Sequence, residues 1–361
     1  MKNFHNVQAD TLVKICSEIL QKHDVPFEEA QVVANSLVDA DLRGVSSHGV
    51  IRLPIYLSRL ANGVIPGSVD VEIIKETEST AVLDGHDGLG QIVSKKAIDI
   101  LLEKAENSPI SAVTVRNSNH FGAAAYWASK IQEKDMIGFS ISNVEPLMPP
   151  PGGAAARVGN NPISIVVPTG DSKPIVLDMA TSTVPLGRIL NAKSKGESLP
   201  EGWAVDSTGK PTTDPDKVVN GGFLYPVGGP KGYALAIIVD VLSALLSGGA
   251  VGKEINSMYN DINNPNCVSH FFMAIRIDAF LDPQLFYQSI GRYIQFIKDT
   301  PLAEGANGIF LPGEIEHLTK AKNVTAGINL PNSVVDDLVN LSKKANLDND
   351  LISELQNSLL V

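Results

Sequence analysis

The sequence predicts an α/β protein whose two chain ends form a mainly helical unit beside the central α/β unit. Three observations predict it. Between Ala81 and Leu177, short β-branched runs alternate with helical patterns. Residues 1–75 carry apolar residues at helical spacing. From Pro331 onward, two polar helical patterns need a surface to pack on, and the N-terminal helices offer one. The boundaries read as a helical N-terminal segment over 1–75, an α/β unit over 76–285, and a C-terminal helical segment over 286–361 that packs on the first.

Taken in order, Leu12, Ile15, Cys16, Ile19 and Leu20 mark one face of an amphipathic helix. Val25-Pro26-Phe27-Glu28-Glu29-Ala30 opens another, with proline and acids at its start. The stretch around Ser47 to Tyr56 reads as helical. Strands are expected at 81–84, 111–115, 137–142, 164–167, 175–177 and 269–275. Helices are expected over Gln91 to Asn107, from Ala123, and over 283–300. Residues 186–230, rich in glycine, proline, lysine and aspartate, read as a long irregular connection. Tyr233 to Leu246 is the longest apolar run, interrupted by Asp240 and too short to span a bilayer, so Tyr233 to Ser247 reads as a buried helix.

Composition narrows the function. The 361 residues are 43% hydrophobic and 19% charged, as in ordinary soluble globular proteins. A net charge of −11 argues against nucleic acid or an anionic membrane as the partner. An acidic chain that binds anions must concentrate positive charge locally, and Arg52, His120 and Lys231 are candidates. The two cysteines, Cys16 and Cys267, form no metal-ligand spacing and suggest a reducing compartment. The N-terminus lacks the layout of a signal peptide, so a cytoplasmic location is expected. No histidine pair has zinc-site spacing, and no metal is expected.

Two segments carry chemistry. In the first, Ser47, His48, Arg52 and Tyr56 lie within ten residues, with His48, Arg52 and Tyr56 spaced by four. On a helix these three point to one side, and a guanidinium between an imidazole and a hydroxyl suits a small carboxylate. The polar side of a surface helix carries the same residue types. In the second, Arg116-Asn117-Ser118-Asn119-His120-Phe121-Gly122 follows a strand and precedes a helix. Ligands bind at such a switch in open α/β sheets, and a histidine there titrates near neutral pH and can move a proton. A capping or core histidine is the alternative. No GxGxxG and no Walker A are present; Gly85-His86-Asp87-Gly88-Leu89-Gly90 has its glycines in the wrong order. Gly228-Gly229-Pro230-Lys231-Gly232-Tyr233 runs from a glycine-rich loop into a helix, where free N–H groups and Lys231 can seat a pyrophosphate or simply pack tightly.

Both segments resemble the malate/L-lactate dehydrogenase family, a non-Rossmann family of nicotinamide-dependent oxidoreductases. The resemblance continues through Pro151-Gly152-Gly153, Gly159-Asn160-Asn161-Pro162, Leu177-Asp178-Met179-Ala180-Thr181-Ser182 and Gly229-Pro230-Lys231-Gly232-Tyr233. It implies a non-Rossmann nicotinamide-binding α/β domain, His120 as the catalytic acid–base, and Ser47, His48, Arg52 and Tyr56 around the substrate. It also implies a cofactor site from Val144, Asn160, Asp178, Met179, Ala180, Lys231, Gly313, Glu314 and Ile315. Asn160 stands where relatives usually carry threonine. The implied cofactor is NAD, with NADP not excluded, and the implied assembly is a homodimer. The implied reaction is oxidation of a small 2-hydroxy acid. Trp203-Ala204-Val205-Asp206, Pro211-Thr212-Thr213-Asp214-Pro215 and Ser257-Met258-Tyr259-Asn260-Asp261 resemble the branch that oxidises ureidoglycolate to oxalurate. Asn266 stands near an arginine of that branch. Malate, L-lactate or a related acid is the alternative substrate, and an inactive small-molecule binder is a third reading.

Overall fold

The computed structural model describes residues 4–170 and 173–357. The chain opens with β1 (Phe4–Val7), α1 (Ala9–Gln21), α2 (Phe27–Leu42) and α3 (Leu53–Ala61); two 3-10 turns, Ser46–His48 and Val50–Arg52, join the last two. Next come β2 (Glu72–Glu76), β3 (Thr80–Asp84), α4 (Gly90–Ala105), β4 (Ile110–Ser118), α5 (Ala124–Gln132), β5 (Met136–Ser142), β6 (Ile163–Val167) and β7 (Ile175–Met179). An insertion follows, with α6 (Leu186–Lys195), β8 (Ala204–Val205), β9 (Pro211–Thr212), α7 (Pro215–Val219) and β10 (Phe223–Leu224). The chain then runs through α8 (Pro230–Asp240), a π-helical turn (Val241–Leu245), β11 (Val268–Arg276), α9 (Pro283–Lys298) and α10 (Glu314–Ala326). It closes with β12 (Ile328–Pro331), α11 (Asn332–Lys344) and α12 (Asn349–Asn357). The end of the C-terminal segment read as helical lies outside the described residues.

The two chain ends share one core. Leu12, Ile15, Ile19 and Leu20 of α1 pack with Val33 and Leu37 of α2 and with Val334, Leu338, Leu351 and Leu355 of the last two helices. β1 and β12 pair antiparallel from Phe4↔Pro331 to Val7↔Ile328. The sheet that organises the rest has seven strands in the order β2-β3-β4-β11-β5-β6-β7. β3 and β4 are parallel, whereas β11 runs antiparallel to both β4 and β5. β6 is antiparallel to β5 and to β7. Strands β3, β4, β5 and β7 therefore point the same way, and their carboxyl ends share one edge. That edge is where α/β sheets hold ligands.

Three expectations need correction. Residues 186–230 are not irregular. They form a small unit with a three-stranded sheet, β10-β8-β9, around Ile189, Leu199, Ala204, Val218 and Leu224. Its strands are two residues long, too short for periodicity to register. The apolar segment from Tyr233 is not a wholly buried helix. Ala236, Val239 and Ala244 are buried, but Leu235, Ile237, Ile238, Leu245 and Leu246 face solvent in the single chain. Hydropathy alone does not say whether an apolar face is covered by its own chain or by another. Finally, Ser47 to Tyr56 is not one helix. Gly49 leaves helical geometry at φ −83° and ψ −156°, and separates the two 3-10 turns.

Candidate active site

His120 sits just past the carboxyl end of β4, and its loop is held from below. The Asn119 amide donates to the carbonyls of Asp87 (2.7 Å) and Gly88 (3.0 Å). A Cβ on Gly90 would lie 2.1 Å from the Asn119 carbonyl and 2.5 Å from that of His120. The glycines that failed as a dinucleotide motif thus let α4 approach the loop that carries His120. Trp127 Nε1 donates to the Phe121 carbonyl at 2.8 Å, and the Phe121 ring stacks on His270 with centroids 4.4 Å apart. His270 is fully buried between the Ser118 and Ser142 hydroxyls, 2.8 and 2.9 Å away, and ties β4 and β5 to β11 behind the site.

The residues that the sequence placed around substrate in the first segment converge on His120. The Tyr56 hydroxyl lies 2.6 Å from His120 Nδ1, a contact 64 residues apart in sequence. The His48 ring stacks on the His120 ring with centroids 5.5 Å apart. Ser47 Oγ is 3.0 Å from His48 Nδ1, and Arg52 Nε donates to the Ser47 carbonyl at 2.6 Å. The guanidinium lies under the Tyr259 ring at 5.4 Å, with its terminal nitrogens left for a ligand. The turn at Gly49 sets this arrangement, and Asp41 holds it. Its buried carboxylate accepts from the Val50 N–H at 2.8 Å and fills the space beside Gly49, where a Cβ would lie 1.9 Å from Oδ1. Burial pushes the Asp41 carboxyl up to about 7, against the Val50 hydrogen bond that pulls it down.

Electrostatics corrects another expectation. His120 adds no positive charge near neutral pH. Burial, then the charges of Arg52, His48 and His270, hold it well below the usual histidine range. His48 is lowered to about 4 by burial and by Arg52. Burial also pushes the Tyr56 hydroxyl up to about 12. Among the described residues the crevice therefore sets the Arg52 guanidinium beside two neutral imidazoles, an arrangement that can take a carboxylate next to a proton acceptor.

A second group of residues gathers on the same sheet edge. The Thr181 N–H donates to the Asn160 carbonyl and the Val227 N–H to the Thr181 carbonyl, each at 2.9 Å. These bonds join the ends of β6 and β7 to the glycine loop before α8. Gly228 and Gly229 have φ of +61° and +64°, and a Cβ on Gly232 would lie 2.5 Å from the Val227 carbonyl. Lys231 is exposed at the second residue of α8 and has no ion pair among the described residues. On the other side the Val176 N–H donates to Pro312 O at 2.9 Å, which sets Gly313 against Val176, two residues before Asp178. Asp178, crowded by protein but open to solvent, is raised to about 6 by desolvation; Arg43 opposes this and Glu316 adds to it. Met179 and Ala180, half-buried, end the same strand region. Glu314 is spent on Lys298 and on the Leu311 N–H, while the Ile315 side chain is 56% exposed.

Sequence reasoning missed several supporting residues. Asn161, next to the residue it singled out, accepts from the Val144 N–H at 3.0 Å and donates to the Ala236 carbonyl at 2.8 Å, pinning the end of β5 to α8. Asp41 and Gln91 were also missed, because isolated polar residues in apolar helices give no local signal. Arg59 is buried and donates to the carbonyls of Asp261 and Asn264, both at 2.8 Å, which fixes the loop bearing Tyr259. Asn266 is buried, with its amide given to the Asn256 carbonyl.

A family model described as malate/L-lactate dehydrogenase matches residues 7–339. The malate dehydrogenase of Pyrococcus abyssi is 40% identical over 350 residues, covering 95% of this chain and 96% of the relative. The ureidoglycolate dehydrogenase (NAD(+)) of Escherichia coli K12 is 30% identical, covering 92% and 93%. Among solved structures, the sulfolactate dehydrogenase from Methanocaldococcus jannaschii superposes with a TM-score of 0.89 at 38% identity, covering 95% of this chain and 98% of that one.

Proposed function

The chain belongs to the malate/L-lactate dehydrogenase family, and from that premise we propose that it oxidises malate, or a 2-hydroxy acid of that size, with NAD as hydride acceptor. The observation that carries the reading is the junction of His120, Tyr56, His48 and Arg52 at the carboxyl end of β4. Arg52 takes the carboxylate beside the reacting carbon. His120 Nε2, which has no protein partner among the described residues, takes the hydroxyl proton. Ser47 orients His48, and the stacked His48 ring holds the imidazole of His120 in place. In the reverse direction, protonated His120 returns the proton to the carbonyl oxygen. Desolvation and Arg52 keep His120 neutral, the state that oxidation requires.

The second group of residues fits a dinucleotide. A loop with Gly228 and Gly229 in the left-handed region leads into α8, where a Cβ at Gly232 would strike the Val227 carbonyl, and Lys231, without an ion pair among the described residues, lies beside it. Lys231 and the loop N–H groups would hold the pyrophosphate, with Asn160, Val144, Asp178, Met179, Ala180 and Gly313 along the remainder. The bound nicotinamide supplies the hydride acceptor. NADP is the alternative cofactor, and both are assayed.

Ureidoglycolate is the second reading, favoured by the segments around Trp203 and Tyr259. Against it, Asn266 is buried, carries no charge where that branch has arginine, and gives an amide N–H to the Asn256 carbonyl. The stronger likeness to malate and sulfolactate dehydrogenases also supports the first. The exposed apolar residues of α8, and α9 with no buried residue among the described ones, support a two-fold dimer. Two free thiols, Cys16 and Cys267, support a reducing, cytoplasmic setting. Among the described residues no helix is long and apolar enough to cross a membrane.

The test is a panel of malate, L-lactate, sulfolactate and ureidoglycolate with NAD and NADP, followed by the absorbance of reduced nicotinamide. Malate should give the highest kcat/KM. A preference for ureidoglycolate would reverse the substrate assignment, and no turnover of any 2-hydroxy acid would leave a small-molecule binder.

A further inference from the structure

We propose that Gln91 is a positioning residue for proton transfer: acting through Tyr56, it holds His120 in the tautomer whose Nε2 is free to take a proton. The inference rests on the reading of His120 as the acid–base. It starts from a chain of three side chains. Gln91 is fully buried on α4, and Tyr56 is 1% exposed on α3. The Gln91 amide is 3.1 Å from the Tyr56 oxygen, and that oxygen is 2.6 Å from His120 Nδ1. Nε2 is the nitrogen left for substrate. At the far end of the chain, the Gln91 side-chain oxygen is buried without a hydrogen-bond partner.

Counting protons shows why the far end matters. To accept a proton at Nε2, a neutral imidazole must carry its own proton on Nδ1. After the transfer the imidazolium carries both, so Nδ1 is a donor throughout the reaction. Its acceptor is the Tyr56 oxygen. Tyr56 stays protonated, since burial raises its pKa, so its own O–H needs an acceptor elsewhere. The Gln91 amide is the group in reach. With Nε2 of Gln91 toward Tyr56, the hydroxyl is forced to donate to Nδ1, and the imidazole proton sits on Nε2, where it blocks the reaction. A half-turn of the amide, which keeps the same volume, presents the oxygen instead. Tyr56 then donates to Gln91 and accepts from Nδ1, and the orphaned oxygen gains a partner. The Gly122 N–H, 3.3 Å from Nδ1, favours the blocked tautomer, so an acceptor behind Tyr56 is needed to overcome it. In the step itself the substrate O–H bond breaks and an Nε2–H bond forms, the freed electron pair closes the C=O bond, and the hydroxyl-bearing carbon would give up its C–H hydride to a bound nicotinamide.

The experiment compares Gln91→Leu, which removes the acceptor, with Gln91→Glu, which keeps one. Oxidation by Gln91→Leu should lose about 10²-fold or more in kcat, as a wrong histidine tautomer does elsewhere. The substrate KM and cofactor Kd should stay within about threefold, because Gln91 is fully buried behind Tyr56. Gln91→Glu should recover most of the rate and shift the acid limb of the kcat profile to higher pH, because its charge favours imidazolium. Nitrogen-15 NMR of histidine-labelled wild-type protein at neutral pH should show His120 with its proton on Nδ1, and Gln91→Leu should show it on Nε2. Wild-type kcat in Gln91→Leu, or an Nε2-protonated His120 in the wild type, would overturn the proposal. Full activity in His120→Asn would instead overturn the acid–base reading beneath it.

Discussion

Replacing Arg52 with methionine should leave two separate signatures. Its Nε is committed to the Ser47 carbonyl, so the two terminal nitrogens carry the ligand. Removing one side of a charge-assisted pair costs ~2–5 kcal/mol. Arg52 is only half-buried, which places the loss near the lower end. A loss of ~2–3 kcal/mol corresponds to about 30- to 150-fold in kcat/KM for the hydroxy acid. The cofactor Kd should not change. The second signature is a pH shift. The Arg52 charge is, after burial, the largest influence holding down the pKa of His120, and it also lowers that of His48. Oxidation needs neutral His120, so the rate is lost as pH falls through that pKa. Without Arg52 the pKa rises, and the acid limb of kcat/KM must move to higher pH. In the wild type a bound carboxylate partly neutralises Arg52, so the acid limb of kcat should lie above that of kcat/KM. Initial rates of nicotinamide reduction over about pH 5 to 9, at several substrate concentrations, read both effects. An unchanged KM would remove Arg52 from the substrate site. A lowered kcat/KM with an unmoved acid limb would mean that its charge does not reach His120.

Other substitutions probe the rest of the site. His120→Asn should retain both ligands and slow turnover by about 10²–10⁴, measured by single-turnover hydride transfer; unaltered rates would remove its role. Lys231→Ala should raise the cofactor Kd about tenfold or more, at least ~1.4 kcal/mol, in calorimetric titration, with the substrate constant at saturating cofactor little changed; wild-type affinity would make the glycine loop a packed helix start. Gly90→Ala, whose Cβ would meet the carbonyls of Asn119 and His120, should displace the His120 loop and lower kcat about 10²-fold; unaffected turnover would show the loop to be tolerant. Leu246→Glu combined with Phe296→Asp, at side chains 57% and 75% exposed in the single chain, should give a monomer by sedimentation; a monomeric wild type would refute the dimer.

The amino-acid sequence by itself determined the elements whose signals are local. The apolar spacing of Leu12, Ile15, Ile19 and Leu20 marks α1, and the runs at 137–142 and 164–167 mark β5 and β6, because helix and strand periods are written in neighbouring residues. It also singled out His120 at a strand-to-helix switch, with a capping or core histidine as the alternative reading. Tertiary structure decided the rest. Tyr56 reaches His120 across 64 positions through the turn at Gly49, held by Asp41, and the close approach of α4 to the His120 loop at Gly90. As a histidine at a strand-to-helix switch, His120 was expected to titrate near neutrality; burial, with Arg52 beside it, lowers it. Gln91 looked like any polar residue of α4 until its amide was found behind Tyr56. Likewise, the apolar residues from Tyr233 onward looked like core until packing left Ile238 and Leu246 facing outward. Periodicity depends on adjacent residues, whereas desolvation, hydrogen-bond partners and the covering of a face depend on segments that meet only when the chain is folded.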